Sequence, residues 1–155
     1  MRQPYNVLVF LFCITAEGPR YALFKRSELA DWQSVSGGVQ VGEDLVAAAR
    51  REVEDETGIS DRCPVYKLDM VGAVGKAGVA PSRHRPQSPY IVPKHYFAMD
   101  LGGGAHEIII PAEYREFRWA SHAEAEEALR HDEDKTALWE LEARLHIGDL
   151  PESTA

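Results

Sequence analysis

The chain has 155 residues, 45% of them hydrophobic, and a formal net charge of −8 at pH 7. This length suits one domain with one substantial core, which we place at residues 1–148, with 149–155 as a disordered tail. The negative charge disfavours nucleic acid and anionic membranes as partners. Two cysteines are too few for a disulfide framework, so we expect a reduced, cytoplasmic protein.

The N-terminal segment is predicted to form a β-hairpin. Residues 5–15 are almost continuously apolar, which is typical of a buried strand, and the apolar run is too short to span a bilayer. A turn at 17–20 would connect it to a second strand at 21–25. Lys25 and Arg26 follow at the end of that strand, where they are either phosphate ligands or merely exposed charges.

The next stretch carries the clearest pattern in the chain. Residues 32–36 alternate in the manner of a short strand, and Gly37 and Gly38 after them are expected to form a tight glycine-rich loop. A helix is expected to follow, because Asp44 is a residue type that caps helix N-termini. Gly58 lies where a left-handed residue would end that helix.

Three acidic side chains share one face of this predicted helix. Glu52, Asp55 and Glu56 are spaced i, i+3 and i+4, which places their side-chain bases about 5–6 Å apart. Carboxylates this close repel one another, and a divalent cation such as Mg²⁺ or Mn²⁺ would reverse that cost. Mg²⁺ takes oxygen ligands and typically combines one or two carboxylates with substrate phosphates. The alternative is a solvated acidic face, as acidic runs usually are.

The segment from Met70 to Met99 has an unusual composition. It contains no Asp or Glu, although the chain has 25 acidic residues, and chance would place about five there. We expect a strand at 65–74, a long loop at about 76–92 and a strand at about 94–101. Long loops without regular structure are typically functional or disordered, so this one either is basic by accident or brings positive charge over the acidic face to a polyphosphate.

The C-terminal third is predicted to begin with strands and to end with helices. Short strands are expected at 108–110 and 117–119, from their apolar and alternating patterns. Ser121 is expected to cap a helix at about 122–130 as part of a capping box. A last helix is expected at about 134–146, where leucines recur at helical spacing.

The glycine stretch and the acidic helix together resemble the Nudix box. That motif is a Gly, five residues, a Glu, seven residues, Arg-Glu, an aliphatic residue, any residue, two acids, any residue, a Gly and an aliphatic residue. The positions that match are Gly37, Glu43, Arg51, Glu52, Val53, Asp55, Glu56, Gly58 and Ile59. The one departure is Asp55, where the family usually has Glu, and the shorter side chain would reach a metal only through water.

The resemblance implies an α/β fold, an α/β/α sandwich with a mixed β-sheet, and an enzyme that hydrolyses phosphoric anhydride bonds. It also implies Mg²⁺ as cofactor, with Mn²⁺ as the alternative. The implied metal ligands are the carboxylates of Glu52, Asp55 and Glu56 and the backbone carbonyl of Ser36. Arg51 would orient these carboxylates through charge-assisted hydrogen bonds, and Glu43 would fold back to Arg51 or to a position behind the ligands.

The general base must reach a water molecule at the metal. In related enzymes it is either the equivalent of Glu56 or an acid from a distant loop, and outside the box the candidates are Glu113 and Glu116. We prefer Glu113, because the segment that leads from it to 117–119 is similar to one in family members that act on dihydroneopterin triphosphate or dATP. Residues 32–35 match a Trp-Gln-Ser-Val segment of the same members.

The candidate substrate-binding residues are mostly basic. They lie at the end of the second predicted strand, in the segment before the box, and in the acid-free stretch. They are Lys25, Arg26, Trp32, Gln33, Arg83, Arg85 and Lys94.

Three functions follow from the resemblance. The leading one is a Mg²⁺-dependent pyrophosphohydrolase that cleaves a nucleoside triphosphate or dihydroneopterin triphosphate to the monophosphate and pyrophosphate. The second is removal of pyrophosphate from the 5′-triphosphate of RNA, against which the net acidity argues. The third is a nucleotide sensor without hydrolysis, against which the intact helix acids argue. Family members are often dimers, so a homodimer fits the resemblance as well.

Overall fold

A computed structural model describes residues 2–26, 31–59, 63–75, 89–103 and 114–150. These residues form a seven-stranded mixed sheet with helices on both faces, so the predicted α/β/α sandwich is confirmed. In chain order the elements are β1 (Arg2–Thr15), β2 (Gly18–Arg26), β3 (Trp32–Gln33), β4 (Val35–Gln40), α1 (Leu45–Thr57), β5 (Val65–Gly75), β6 (Ile91–Gly103), β7 (Tyr114–Ala120), α2 (His122–Ala128) and α3 (Asp132–Ile147).

Strand β1 is the centre of the sheet. On one side it pairs in parallel with β6, which in turn pairs antiparallel with β5. Its other side is shared by two antiparallel strands, because β4 pairs with its first residues and β2 with its last. Strands β3 and β7 both pair with β2. The chain therefore passes from β2 through β3 to β4 and back onto β1, which brings the segment before the box next to the middle of the sheet.

The alternation of side chains along β1 divides the core into two layers. Val7, Val9 and Leu11 point to the face that α1 covers, where Val53 is fully buried. The other face is covered by α2 and α3, and the side chains buried there are Leu8, Phe10, Phe12, Tyr96, Leu138 and Leu141. Because both faces of β1 are covered, it has the continuous apolar sequence that predicted a buried strand.

The predicted glycine-rich loop at the start of the box is wrong. Gly37 and Gly38 lie inside β4, where they pair with Val7 and Asn6, and neither has a positive φ. The turn lies later, at 41–44, where Gly42 has a φ of +84°. Glycine at 37 is required for space rather than for backbone conformation, for the reason given below.

The predicted ends of α1 are confirmed. Asp44 is the N-cap, and its side chain accepts a hydrogen bond from the backbone N–H of Ala47 at 2.7 Å. Gly58 ends the helix with a φ of +75°, a left-handed conformation that other residues adopt at a cost. The sequence signals at both ends of the helix were therefore interpreted correctly.

The other elements follow the predictions with shifted ends. The β1–β2 hairpin and β5 are present, while β6 begins at Ile91, before the predicted start, and α3 begins at Asp132. The capping box of Ser121 and Glu124 forms as predicted. Residues 76–88 of the loop predicted at about 76–92, the predicted strand at 108–110 and residues 151–155 of the predicted tail lie outside the described residues. Among the described helices, none is both long and apolar enough to cross a membrane.

Candidate active site

The site is built where α1 packs against β4. The carboxyl group of Glu52 lies directly over Gly37, so that a Cβ atom added at that glycine would overlap its Cδ and both oxygens. Only glycine leaves this space, since any other side chain would occupy the volume of the carboxylate. Gly37, the first glycine of the box, thus leaves the space that the carboxylate of Glu52 occupies.

Arg51 donates hydrogen bonds to the Glu52 carboxylate and to two further residues, Glu43 and Gly38. Its Nε and Nη2 donate to the two carboxylate oxygens of Glu43 at 2.8 and 3.0 Å, in a bidentate pair. Its Nη1 donates to Oε1 of Glu52 at 2.8 Å, and Nη2 also donates to the carbonyl oxygen of Gly38 at 2.7 Å. Glu43 therefore does fold back to Arg51, and the guanidinium holds the loop, the strand and the helix together.

The charges of this pair reinforce each other. The hydrogen bond with Glu43 is the main cause that raises the pKa of Arg51 above its usual value. In turn, the Arg51 hydrogen bond holds the pKa of Glu43 below its usual value, and the backbone N–H of Gln40 contributes by donating to Oε1 at 3.0 Å. Both groups remain charged at neutral pH, so the pair is a fixed support beside Glu52.

The two remaining acids of the helix face have different environments. Glu56 is only 8% exposed, and its Oε2 accepts a hydrogen bond from the hydroxyl of Tyr114 at 2.7 Å. The Tyr114 ring packs on Phe24 with a centroid distance of 5.3 Å, which fixes the donor. The Asp55 side chain is 63% exposed and lies 3.7 Å from Arg51. Helical spacing placed the three acids on one face, but their contacts separate them.

The donor set fits a divalent cation in its chemistry. Within the described ranges, no three His, Cys, Asp or Glu side chains converge as metal ligands. The Glu52 carboxylate accepts a hydrogen bond from Arg51, and that of Glu56 accepts one from Tyr114. Carboxylate and carbonyl oxygens are the ligands that Mg²⁺ prefers. The space above Gly37 also keeps the Glu52 carboxylate at the strand that carries the Ser36 carbonyl. A metal would have to draw these oxygens together.

A cavity of about 460 Å³ opens on the α3 side of the sheet beside Ser36. Its walls come from β1, β3, β4, β5, β6 and the corner between α2 and α3. The lining residues are Asn6, Leu8, Asp31, Trp32, Gln33, Ser34, Ser36, Ala73, Val74, Gly75, Lys94, Arg130, His131, Glu133 and Asp134. Three predicted substrate residues, Trp32, Gln33 and Lys94, are thus brought together with Ser36. The contribution of the α2–α3 corner was not predicted from the sequence.

Lys94 lines the cavity as a member of a buried ion pair. It is 6% exposed, and its Nζ donates to Oδ1 of Asp134 at 2.7 Å and lies 3.5 Å from Oε1 of Glu133. The hydroxyl of Tyr96 donates to the same Asp134 oxygen at 2.5 Å. Burial, followed by the neighbouring Asp134, raises the pKa of Tyr96 well above its usual value. The Lys94 charge is already compensated, which does not favour the predicted phosphate contact.

Trp32 is flanked by two cations. The Nζ atom of Lys25 lies 5.7 Å from its ring centroid, and Cζ of Arg118 lies 5.0 Å from it, both within the range of a cation–π contact.

Glu116 lies opposite Lys25 in the backbone register of β7 and β2. Glu116 alternates with Phe117, which packs in the α1-side core, so it projects from the opposite face to Glu56. Glu116 thus faces the α3 side of the sheet, on which the cavity opens, and its role as a base stays a prediction.

Several predicted site residues cannot be placed. Arg83, Arg85 and Glu113 lie outside the described residues, and the side chain of Arg26 at the end of β2 is not described either. Their predicted roles stay predictions.

Comparisons with known proteins show the family and the fold of this chain. The sequence model of the NUDIX domain matches residues 4–140. An RNA pyrophosphohydrolase from Roseobacter denitrificans is 32% identical over 145 residues, which cover 83% of this chain and 84% of that protein. A Listeria monocytogenes structure assigned as a NUDIX hydrolase has a TM-score of 0.83 and 31% identity, covering 96% and 98% of the two chains. The Escherichia coli dihydroneopterin triphosphate pyrophosphohydrolase has a TM-score of 0.75 at 20% identity, covering 92% and 97%.

Proposed function

This chain belongs to the Nudix family of hydrolases, which act on pyrophosphate bonds, and we propose that it is a Mg²⁺-dependent pyrophosphohydrolase of small triphosphates. Its substrate would be a nucleoside triphosphate or dihydroneopterin triphosphate, cleaved to the monophosphate and pyrophosphate. The observation that carries the proposal is the Glu52 carboxylate seated over Gly37, on the strand whose Ser36 lines a ligand-sized cavity. The proposed metal ligands lie on the α1 side of β4 and the cavity lies on its α3 side, so a bound substrate would extend across this strand.

The proposed metal ligands are Glu52, Glu56 and the carbonyl of Ser36, with Asp55 acting through water. When bound, the ion would neutralise charge on the phosphate oxygens and lower the pKa of its bound water. Arg51 would hold Glu52 in place, and the Tyr114 hydroxyl would do the same for Glu56. Glu56 or Glu113 would then take the proton of the attacking water.

Three features support a small-molecule substrate. The cavity of about 460 Å³ is within the range of pockets for small ligands, about 300–1,000 Å³. Trp32 offers an aromatic surface at its wall, where a base or pterin ring could stack. A net charge of −8 also disfavours a long polyanion. Lys25 and Arg118, within cation–π distance of Trp32, would add positive charge at the same wall of the cavity.

Pyrophosphate release tests the proposal directly. We expect nucleoside triphosphates or dihydroneopterin triphosphate to yield pyrophosphate in Mg²⁺ and no product in EDTA, without a change in the far-ultraviolet circular dichroism spectrum. Glu52→Gln and Glu56→Gln should each lower kcat by about 100-fold or more, because a proposed ligand of the metal ion that would bind the reacting phosphate is lost. Asp132→Asn, an exposed acid on α3, is the matched control and should be silent. Undiminished hydrolysis in EDTA would reject the metal dependence.

A second candidate is removal of pyrophosphate from 5′-triphosphorylated RNA. The relative from Roseobacter denitrificans, which carries that name, favours it. A comparison of kcat/KM for a short 5′-triphosphorylated RNA and for the free triphosphate of its first nucleotide separates the two. A higher value for the RNA, with an affinity that falls steeply with salt, would select the second candidate. Binding without release of pyrophosphate from either would select the sensor.

Arg83 and Arg85 are proposed as phosphate ligands from composition alone. Substitution of both by Ala should raise KM for a triphosphate and leave kcat nearly unchanged, since a uniform binding contact would be lost. An unchanged KM would remove both from the substrate site.

A further inference from the structure

We infer that the cavity beside Ser36 binds a heterocycle through its hydrogen-bond donor edge, with Glu133 as the acceptor and Ser34 as a second polar contact. The edge is the ring N–H next to an exocyclic amino group that guanine and pterins share. The inference rests on the proposed function and narrows its substrate class to 2-amino-4-oxo rings and their purine equivalents. Neither residue belongs to the box.

Ser34 is a buried polar residue whose hydroxyl could take a ligand as its hydrogen-bond partner. It is 2% exposed and lines the cavity, and its Oγ has no hydrogen-bond partner among the residues that the structure describes. A buried hydroxyl without a partner loses its hydration and gains nothing in return, so such groups are rare in native proteins. A bound ring with a polar edge would supply the partner.

The Glu133 carboxylate has oxygen atoms that can accept further hydrogen bonds. Its Oε1 lies 3.5 Å from Nζ of Lys94, and its Oε2 accepts from the backbone N–H of Ala73 at 3.4 Å. Both distances are long for hydrogen bonds, whereas two carboxylate oxygens offer about four acceptor positions. Its side chain is 31% exposed, so a ligand in the cavity can reach it.

Gly72, next to the lining residue Ala73, leaves space for this carboxylate. A Cβ atom added at Gly72 would lie 3.3 Å from Oε2 of Glu133 and 2.9 Å from the hydroxyl of Tyr96. The second distance is too short for a real contact, so the absence of a side chain at Gly72 is what admits both groups. The Tyr96 hydroxyl is in turn committed to Asp134, as is Lys94.

The charge of the lining favours a donor edge over a phosphate. Its acids outnumber its lysine and arginine residues by one, since 3 − 2 = 1; the acids are Asp31, Glu133 and Asp134, and the cations are Lys94 and Arg130. Lys94 is paired with Asp134 at 2.7 Å and Arg130 with Asp31 at 3.2 Å, which leaves Glu133 as the acid in excess. A phosphate would be repelled there, whereas N–H donors would be attracted.

Guanine and pterins match this acceptor better than other common rings. Their lactam N–H and adjacent amino group donate in parallel, so that both oxygens of one carboxylate are used. Adenine presents an acceptor nitrogen next to its amino group, which would face the carboxylate unfavourably. Hypoxanthine keeps the lactam N–H and lacks the amino group. Comparing it with guanine therefore measures the hydrogen bond of the amino group alone.

Equilibrium binding to the metal-free protein tests recognition separately from hydrolysis. We expect calorimetric titration to give the order GMP, then IMP, then AMP, with about a tenfold or larger loss of affinity from GMP to AMP. Glu133→Gln should remove the preference for GMP over IMP, while Asp132→Asn, which removes the same charge from the same helical turn, should keep it. Ser34→Ala should weaken all three ligands.

Equal affinities for GMP and IMP, no binding of GMP, or an undiminished preference in Glu133→Gln would overturn the inference. The ligand series uses the unaltered protein, so the test stands even where a variant fails to fold. Pyrophosphate release from GTP, ITP and ATP in Mg²⁺ is the parallel measurement. If GTP, ITP and ATP are hydrolysed equally well, the inference about the ring is wrong and the proposed function still stands. If the monophosphates bind in the expected order but no triphosphate is hydrolysed, the proposed function is wrong instead.

Discussion

Glu52 occupies the volume that a side chain at position 37 would fill, and the two positions belong to different elements, β4 and α1. The pair thus couples the packing of the helix to the place of its carboxylate. Since the carboxylate is a proposed metal ligand, the smallest possible addition at Gly37 should displace a functional group without changing its chemistry.

Gly37→Ala is therefore expected to act on catalysis more than on stability. The methyl group must push the Glu52 carboxylate aside, and overpacking of this kind typically costs about 1–3 kcal/mol. We expect kcat/KM to fall by about 100-fold and the Mg²⁺ concentration for half-maximal activity to rise. Gly75→Ala is the control for the Mg²⁺ dependence alone: Gly75 lines the cavity, but a Cβ atom there meets nothing within 4 Å, so the Mg²⁺ concentration for half-maximal activity should not change. Full activity of Gly37→Ala would mean that Glu52 is not a ligand.

The Arg51–Glu43 pair makes a prediction about acid stability. The Arg51 hydrogen bond lowers the pKa of Glu43 from its usual value of 4.5, so the folded state binds this proton less readily than the unfolded state. The pair therefore stabilises the fold above about pH 4.5, and the contribution is lost as the pH falls through the lowered folded pKa. Glu43→Gln should cost about 1 kcal/mol at pH 7.

Urea unfolding at a series of pH values measures this effect. The difference in free energy of unfolding between the native protein and Glu43→Gln should be constant from pH 7 to about 5 and should shrink below about 4.5. Glu17→Gln, at an exposed turn, is a control whose difference should stay small throughout. A difference that grows on acidification would contradict the direction of the Glu43 shift.

Tyr114→Phe tests whether the hydroxyl positions Glu56. The substitution deletes one hydrogen bond of 2.7 Å to a buried carboxyl group and keeps the ring that packs on Phe24. We expect a loss of about 1–2 kcal/mol in the free energy of unfolding and about a tenfold lower kcat, with KM little changed. Tyr5→Phe, whose ring is 37% exposed, should change neither quantity. An unaltered kcat would show that Glu56 needs no such positioning.

The resemblance to the Nudix box predicted the fold, and local signals predicted the helix of the box. Asp44 and Gly58 mark the two ends of α1 through backbone conformations that those residue types favour. Gly37 was misinterpreted because a glycine indicates either an unusual φ or a lack of space. The motif does not distinguish the two, and only the position of Glu52 does.

The cavity could not be predicted, because its residues meet only through the topology. Ser34 precedes β4, whereas Glu133 lies on α3, and nothing local to either segment indicates that the α2–α3 corner closes over the sheet. Lys94 shows the same limit. The acid-free stretch around it suggested a phosphate ligand, but its partner Asp134 comes from a helix much later in the chain.

The Lys94–Asp134 pair predicts a strong coupling in stability. Both residues are less than a tenth exposed, and removal of one partner from a buried pair typically costs about 3–5 kcal/mol, because the other charge is left uncompensated. We expect Asp134→Asn to lose about 3 kcal/mol, since Asn keeps an acceptor for the Tyr96 hydroxyl but not the charge. Lys94→Met together with Asp134→Asn should cost about 2 kcal/mol less than the sum of the single changes.

A second ion pair at the same cavity provides the matched control. Arg130 lies 3.2 Å from Asp31, but their side chains are 69% and 45% exposed, so water screens both charges. A double-mutant cycle with Arg130→Ala and Asp31→Ala should give a coupling below about 1 kcal/mol. Equal couplings in the two cycles would show that burial does not set the strength of the Lys94 pair. In that case Lys94 would be available to bind a ligand, and Glu133 would no longer count as the acid in excess at the cavity.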